Sequence, residues 1–197
     1  MESSTPILLV MAGPNGSGKS TITGRLQPIG QYVNADEIQR FLGCDSMEAA
    51  KNAEETREAL LKKRESFTFE TVLSTPRNLD LMRRAKEAGY TVICVYVLTC
   101  SYEINVERVR RRVENGGHDV PTEKIIARYG RAMKLIPELL RICDQLLIYD
   151  NSCDRRDGSP ERIVTLRDGE LRIHPTKLWK EENIRRLLTG SCTGEKN

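Results

Sequence analysis

Residues 7–20 read ILLVMAGPNGSGKS, and the succession of residue types in this stretch decides the fold. Ile7 to Ala12 is an unbroken apolar run, the pattern of a strand buried on both faces of a parallel sheet. Gly13-Pro-Asn-Gly-Ser-Gly-Lys-Ser20 follows and fits GxxxxGK[ST], with both glycines, the lysine and the hydroxyl in register. Such a loop, set between a buried strand and a helix, turns backbone N–H groups inward around a phosphate and adds the positive end of the helix. Gly13, Pro14, Asn15, Gly16, Ser17, Gly18, Lys19, Ser20 and Thr21 are therefore expected to hold a nucleoside triphosphate. Lys19 is expected to reach the β and γ oxygens, and the Ser20 hydroxyl to ligate Mg²⁺. ATP is preferred to GTP because no NKxD-like guanine reader is present.

Working outward, residues 19–26 read as a helix stopped near Pro28, and 31–35 as a second strand ending at Asp36. Helix-forming composition covers 37–42 and 46–63, and the β-branched, aromatic segment 66–72 predicts a third strand. A helix over 79–88 is stopped by Gly89 and leads into the strongest strand, 91–99. Val106, Val109 and Val113 recur at helical spacing, as do Ile125, Tyr129, Ala132 and Ile136, so two helices flank Gly116-Gly117. Pro121 suits a first helical turn, and Pro137 should kink or interrupt the second helix. Another buried strand, 145–149, ends in Asp150-Asn151-Ser152. Segments 163–166 and 170–173 bracket Arg167-Asp168-Gly169, a hairpin signal, and 176–188 reads as one amphipathic helix.

Strands alternating with helices predict right-handed βαβ units. The expected fold is α/β and P-loop-NTPase kinase-like. It has a mostly parallel five-stranded sheet, helices on both faces, a helical lid at about 103–135, and a C-terminal β-hairpin and helix at about 160–190. All of it is expected in a single domain over 1–197.

Composition narrows the function classes. Charged residues are 30% and hydrophobic ones 39% of 197, which is globular, and no apolar run approaches the roughly 18 residues of a membrane span. The apolar run near the N-terminus has no basic region ahead of it and enters a glycine loop, so it reads as the first strand of a cytoplasmic protein. A formal charge of +3 does not by itself imply nucleic acid. Six cysteines (Cys44, Cys94, Cys100, Cys143, Cys153 and Cys192) form no CxxC pair and read as reduced thiols, with neither a zinc site nor a disulfide framework indicated.

In an open α/β sheet, ligands bind beyond the carboxyl ends of the strands. Asp36 and Glu37 close the second strand in NADEI, Glu70 lies late in the third, and Asp150 closes the last. Phosphoryl transfer needs one carboxylate that accepts the acceptor hydroxyl's proton, and Asp36 is the candidate; the competing reading makes it a helix N-cap. Glu70 either orients a substrate or is an ordinary strand-end carboxylate. The strand 91–99 ends in Thr99-Cys100-Ser101, without the aspartate that often completes Mg²⁺ coordination.

The stretch ERVRRRVENGGHDVP, 107–121, holds four arginines. Arg108 and Arg112 are i,i+4 and share a helix face; Arg128 and Arg131 are i,i+3 on the next helix. Each pair is either solvated or presented to a transferring phosphoryl group, for which guanidinium groups are suited. Arg110 and Arg111 read as surface residues, Arg111 pairing with Glu107.

GPNGSGKS, NADEI, FET, RVxxRVxxGGHxVP, RYxR and a final strand ending in DNS together resemble the zeta-toxin-like P-loop kinases, particularly their compact chromosomal members. The resemblance runs from about Ile7 to Ser152 and implies an ATP- and Mg²⁺-dependent kinase that phosphorylates the 3′-hydroxyl of the sugar in UDP-N-acetylglucosamine. It also implies neutralisation by a small helical antitoxin. By position it makes Lys19 and Ser20 the phosphate and metal residues and Asp36 the base. Glu70, Thr71 and Arg128 become substrate-site residues, and Arg108, Arg112, Arg128 and Arg131 catalytic lid arginines. Alternatives are a P-loop kinase for a nucleoside, an antibiotic or an RNA end, and a non-catalytic NTP-binding switch. Nucleic acid and membranes are not expected partners.

Overall fold

The computed structural model describes residues 5–153 and 159–191. Its centre is β1 (Ile7–Ala12), apolar on both faces: Leu8, Val10 and Ala12 are buried in one core, Leu9 and Met11 in the other. The other strands are β2 (Gln31–Val33), β3 (Phe67–Thr71), β4 (Thr91–Leu98), β5 (Gln145–Asp150), β6 (Glu161–Arg167) and β7 (Glu170–Ile173). They form one seven-stranded sheet in the order β2-β3-β1-β4-β5-β6-β7. The first five are parallel, as the apolar runs require, while β6 and β7 are antiparallel. The hairpin therefore extends the sheet to seven strands, because Ile163 and Val164 are fully buried against β5. Its turn works because Asp168 and Gly169 both adopt positive φ, 52° and 78°, which matches the twist of the strands.

The helices are α1 (Lys19–Thr23), α2 (Ala35–Leu42), α3 (Ser46–Lys63), α4 (Arg77–Glu87), α5 (Tyr102–Glu114), α6 (Thr122–Lys134), α7 (Ile136–Ile142) and α8 (Glu181–Thr189). Helix α1 stops at Thr23, short of residue 26. Helix α2 begins earlier than composition suggests: Asn34 is its cap and accepts the Asp36 N–H at 2.8 Å, which puts Asp36 in the first turn rather than at a strand end. Pro137 interrupts as expected, and α7 restarts with that proline in its first turn. The C-terminal helix is shorter than 176–188. Residues Thr176 to Trp179 form a turn, with Thr176 N–H on the Trp179 carbonyl at 2.9 Å, that buries the indole before α8 starts.

Chain order explains where a site can form. From β1 the chain goes out to β2, returns through β3, then crosses to β4 on the other side of β1, so the carboxyl end of β1 lies at the switch of winding direction. Among the described residues no helix is long and apolar enough to cross a membrane. Cys44, Cys94, Cys100, Cys143 and Cys153 are free thiols; Cys192 lies outside the described residues.

Candidate active site

The glycine loop leaves β1 with the Gly13 N–H on the Thr71 carbonyl at 3.1 Å, so β3 sets where the loop starts. Gly18 has φ 86°, and a Cβ there would lie 2.1 Å from Asn151 Nδ2, so both backbone and space require glycine. No side chain caps α1. Lys19 Nζ folds back to the carbonyls of Gly13 at 2.8 Å and Pro14 at 3.2 Å. Enclosure strips water from this ammonium and lowers its pKa to about 8; Glu70 and Asp36 oppose the shift and Arg112 reinforces it. These couplings bring Lys19, Glu70, Asp36 and Arg112 into one electrostatic neighbourhood, although they are spread over 94 sequence positions (112 − 19 + 1). The Ser17 hydroxyl is buried without a hydrogen-bond partner, and Ser20 is exposed in the first turn of α1. Thr21 sits in α1 with its N–H on the Gly18 carbonyl at 3.0 Å. A loop with a desolvated cation and space only for glycine suits a polyphosphate.

Across from the loop, Tyr32 of β2 and Asn34, the cap of α2, both reach toward Glu70. The Tyr32 hydroxyl donates to Glu70 Oε1 at 2.6 Å, and Asn34 Nδ2 donates to the Tyr32 oxygen at 3.0 Å. Burial and the Glu70 carboxylate hold the Tyr32 proton well above its ordinary pKa, so this relay keeps its direction at neutral pH. Through the Asn34 cap, the relay ends at the backbone of Asp36, fixing the base candidate relative to Glu70. Tyr32 and Asn34 were not singled out in the sequence. The available signal for Asn34 was its residue type directly ahead of a helix-forming run, the pattern of an N-cap.

Thr71 supports the loop that follows β3. Its Oγ1 accepts from the Leu73 N–H at 2.9 Å and from Asn78 Nδ2 at 2.7 Å, holding the loop into α4. Leu73 needs that support, since it is buried and has φ 50°, a left-handed conformation that costs a non-glycine residue about 1–2 kcal/mol.

The four candidate arginines make different contacts. Arg128 Nη1 lies 3.3 Å from Asn15 Oδ1, over the phosphate loop. Arg112 donates to the His118 carbonyl at 2.7 Å while coupling electrostatically to Lys19. Arg108 instead donates to the Asn151 carbonyl at 2.7 Å, and Arg131 Nε to the Ser74 carbonyl at 3.2 Å, so these two tie loops together. Arg110 and Arg111 both pair with Glu107 on the surface, where solvent screens the attraction. Gly116-Gly117 terminates α5: Gly116 N–H bonds the Val113 carbonyl and Gly117 N–H the Arg112 carbonyl, each at 2.9 Å. A Cβ at Gly117 would lie 2.6 Å from Arg112 Cγ, so the second glycine makes room for that side chain.

Beyond β4, where an aspartate might have held a metal, the Thr99 carbonyl accepts the Tyr129 hydroxyl at 2.7 Å. Asp150 is buried at the end of β5, and that burial raises its pKa. It accepts the Ser152 N–H at 3.1 Å, and Ser152 Oγ accepts the Cys100 N–H at 2.7 Å. The loops after β4 and β5 are thereby joined.

This fold and this loop are those of a P-loop, kinase-like α/β protein. Residues 43–161, more than half of the chain, match the family model described as Zeta toxin, and the chain belongs to that family. The matched span contains Glu70, Thr71 and all four lid-candidate arginines. It begins after the phosphate loop and Asp36, which rest on motif and geometry. An uncharacterised protein of Haemophilus influenzae strain Rd is 31% identical over 123 residues, 59% of this chain and 88% of that one. The fold is similar to a chain of the AvrRxo1-ORF1:AvrRxo1-ORF2 complex solved with ATP, with TM-score 0.69 and 15% identity, covering 98% of this chain and 66% of that chain. It is also similar to a chain of the PezAT chromosomal toxin-antitoxin system of Streptococcus pneumoniae, with TM-score 0.53, 20% identity, and coverage of 97% and 86%.

Proposed function

We propose that the chain transfers the γ-phosphoryl group of ATP to a hydroxyl of UDP-N-acetylglucosamine or a related sugar nucleotide. The observation that supports phosphoryl transfer is the electrostatic coupling of Asp36, Glu70 and Arg112 to Lys19, whose ammonium folds onto the Gly13 and Pro14 carbonyls of the loop; the sugar-nucleotide acceptor is supported by membership of the Zeta toxin family. Lys19 and the loop N–H groups hold the donor phosphates. Asp36 accepts the proton of the acceptor hydroxyl as its oxygen bonds to phosphorus and ADP leaves. Glu70, oriented by Tyr32, receives a hydroxyl or amide donor of the sugar. Arg128 and Arg112 balance charge on the transferring oxygens. Ser20, with Asp36 through water, would hold Mg²⁺, which neutralises charge on the donor phosphates when bound. ATP as donor is supported by the ATP complex of a protein with this fold.

The moving lid would be the helical segment at about 103–135, within a single domain. A small antitoxin partner is supported by the toxin-antitoxin context of a relative in fold.

The test is incubation of the protein with Mg²⁺, γ-labelled ATP and UDP-N-acetylglucosamine, followed by mass spectrometry. Phosphorylated sugar nucleotide is expected. Its absence at high enzyme, with ATP binding intact, overturns the acceptor, and a parallel panel of nucleosides, antibiotics and RNA ends then locates the right one.

A further inference from the structure

A loop that turns its N–H groups toward a phosphate must turn carbonyls outward, into the protein, where each needs a donor. Two asparagines from distant segments supply them. Asn105 Nδ2, from α5, donates to the Asn15 carbonyl at 2.7 Å; Asn151 Nδ2, just beyond β5, donates to the Ser17 carbonyl at 2.9 Å. Neither bond engages a loop N–H. Both side chains are enclosed, Asn105 at 0% and Asn151 at 9% exposure, so water cannot replace them.

Each amide is itself fixed. Asn105 Oδ1 accepts from the Thr99 hydroxyl. The Asn151 N–H bonds the Leu98 carbonyl at 2.9 Å, and its carbonyl accepts Arg108 Nη1 at 2.7 Å. Asn105 and Arg108 are i,i+3, so one face of α5 reaches both halves of the loop. The loop glycines face these same residues. A Cβ at Gly16 would lie 2.4 Å from the Asn105 carbonyl oxygen, and one at Gly18 would lie 2.1 Å from Asn151 Nδ2.

We propose that Asn105 and Asn151 are positioning residues that hold the phosphate loop in its anion-binding curvature, with Arg108 setting Asn151. This rests on the loop binding a nucleotide triphosphate, though not on which acceptor is phosphorylated. Without either amide an enclosed carbonyl loses its donor, the peptide rotates to find another, and an oxygen turns toward the phosphate.

The experiment measures calorimetric affinity of the full chain for Mg²⁺-ATP and for inorganic tripolyphosphate, with the melting temperature of each variant recorded. Asn105→Ala and Asn151→Ala should each weaken both ligands about tenfold and by the same factor, since the loop touches only phosphates. Asn151→Asp, which sets a carboxylate against the Ser17 carbonyl, should weaken them further. Arg108→Ala should give a smaller loss that does not add to that of Asn151→Ala. Wild-type protein that binds neither ligand would remove the nucleotide reading itself. Wild-type binding with unchanged tripolyphosphate affinity in Asn105→Ala and Asn151→Ala, or in Arg108→Ala should those not fold, overturns the inference. So does loss for ATP alone, which would make Asn151 a contact for the base.

Discussion

The two halves of the candidate site are built differently. On the donor side the phosphate loop is enclosed: Ser17 is buried, and Asn105 and Asn151 reach its carbonyls from elements far away in sequence. On the acceptor side, α2 carries Asp36 but contains no buried residue, and Phe41 on the same helix is 90% exposed. That helix leans on the core through the half-buried Ala35 and Ile38, and the Asn34 cap ties its first turn to the Tyr32–Glu70 relay. Polyphosphate is a constant shape and rewards a rigid mould. The acceptor half is left open, so affinity for the acceptor has to come from a few directed polar groups.

The contrast can be broken most severely at Asp36. Asp36→Asn should cut phosphoryl transfer by about 10²–10⁴-fold while ATP affinity is unchanged, read from single-turnover rates beside calorimetry. Equal rates would move the base elsewhere. Next in size, Arg128→Ala should lower kcat by about 10²-fold, the scale of losing one preorganised charge donor. Arg111→Ala on the neighbouring helix should leave kcat where it was, since its partner is the surface residue Glu107.

Tyr32→Phe sharpens the acceptor half. Glu70 loses its donor, and the KM for the acceptor should rise about tenfold with the KM for ATP unaltered. If the KM for ATP moved instead, the relay would belong to the donor side.

The donor half has a pH signature. The Lys19 pKa lies at about 8, below its ordinary 10.5, and a bound polyphosphate raises it. Binding therefore takes up a proton above pH 8. Affinity for ATP should be flat below that pH and fall by up to about tenfold per unit above it, measurable by calorimetry in buffers of different ionisation heat. The same shift carries the opposite sign for stability. The depressed pKa is a cost to the nucleotide-free fold below about 8, and this cost is relieved as pH rises from there toward 10.5. The smallest expected effect is Asn34→Ala, about 1 kcal/mol of stability from the lost cap, read by denaturant titration.

The same two halves were unequally legible in the sequence. ILLVMAGPNGSGKS announces its strand, loop and helix because the chemistry of binding phosphate needs contiguous residues. The five parallel strands follow from apolar runs, which periodicity reveals. That the Asp-Gly hairpin joins the same sheet could not be read, because pairing of β6 with β5 is a tertiary contact. The role of Asn105 and of Asn151, which the sequence shows only as part of DNS, was hidden for the same reason: an asparagine that donates to a carbonyl 90 or 134 positions away leaves no local pattern. Helical spacing put Arg108 and Arg112 on one face, and the structure sends one to the Asn151 carbonyl and the other to the Lys19 neighbourhood. Spacing tells which side chains are neighbours on a helix, and what they face depends on the loops packed beside it.

The central claim is that Asp36 and the phosphate loop act together on an acceptor hydroxyl. It is tested most directly by supplying Mg²⁺, γ-labelled ATP and UDP-N-acetylglucosamine to wild-type protein and to Asp36→Asn, after showing that both bind ATP equally. Labelled sugar nucleotide from the wild type, and none above background from the variant, is the predicted result. Label with neither protein would overturn the acceptor, and label appearing at the same rate with both would contradict the claim itself.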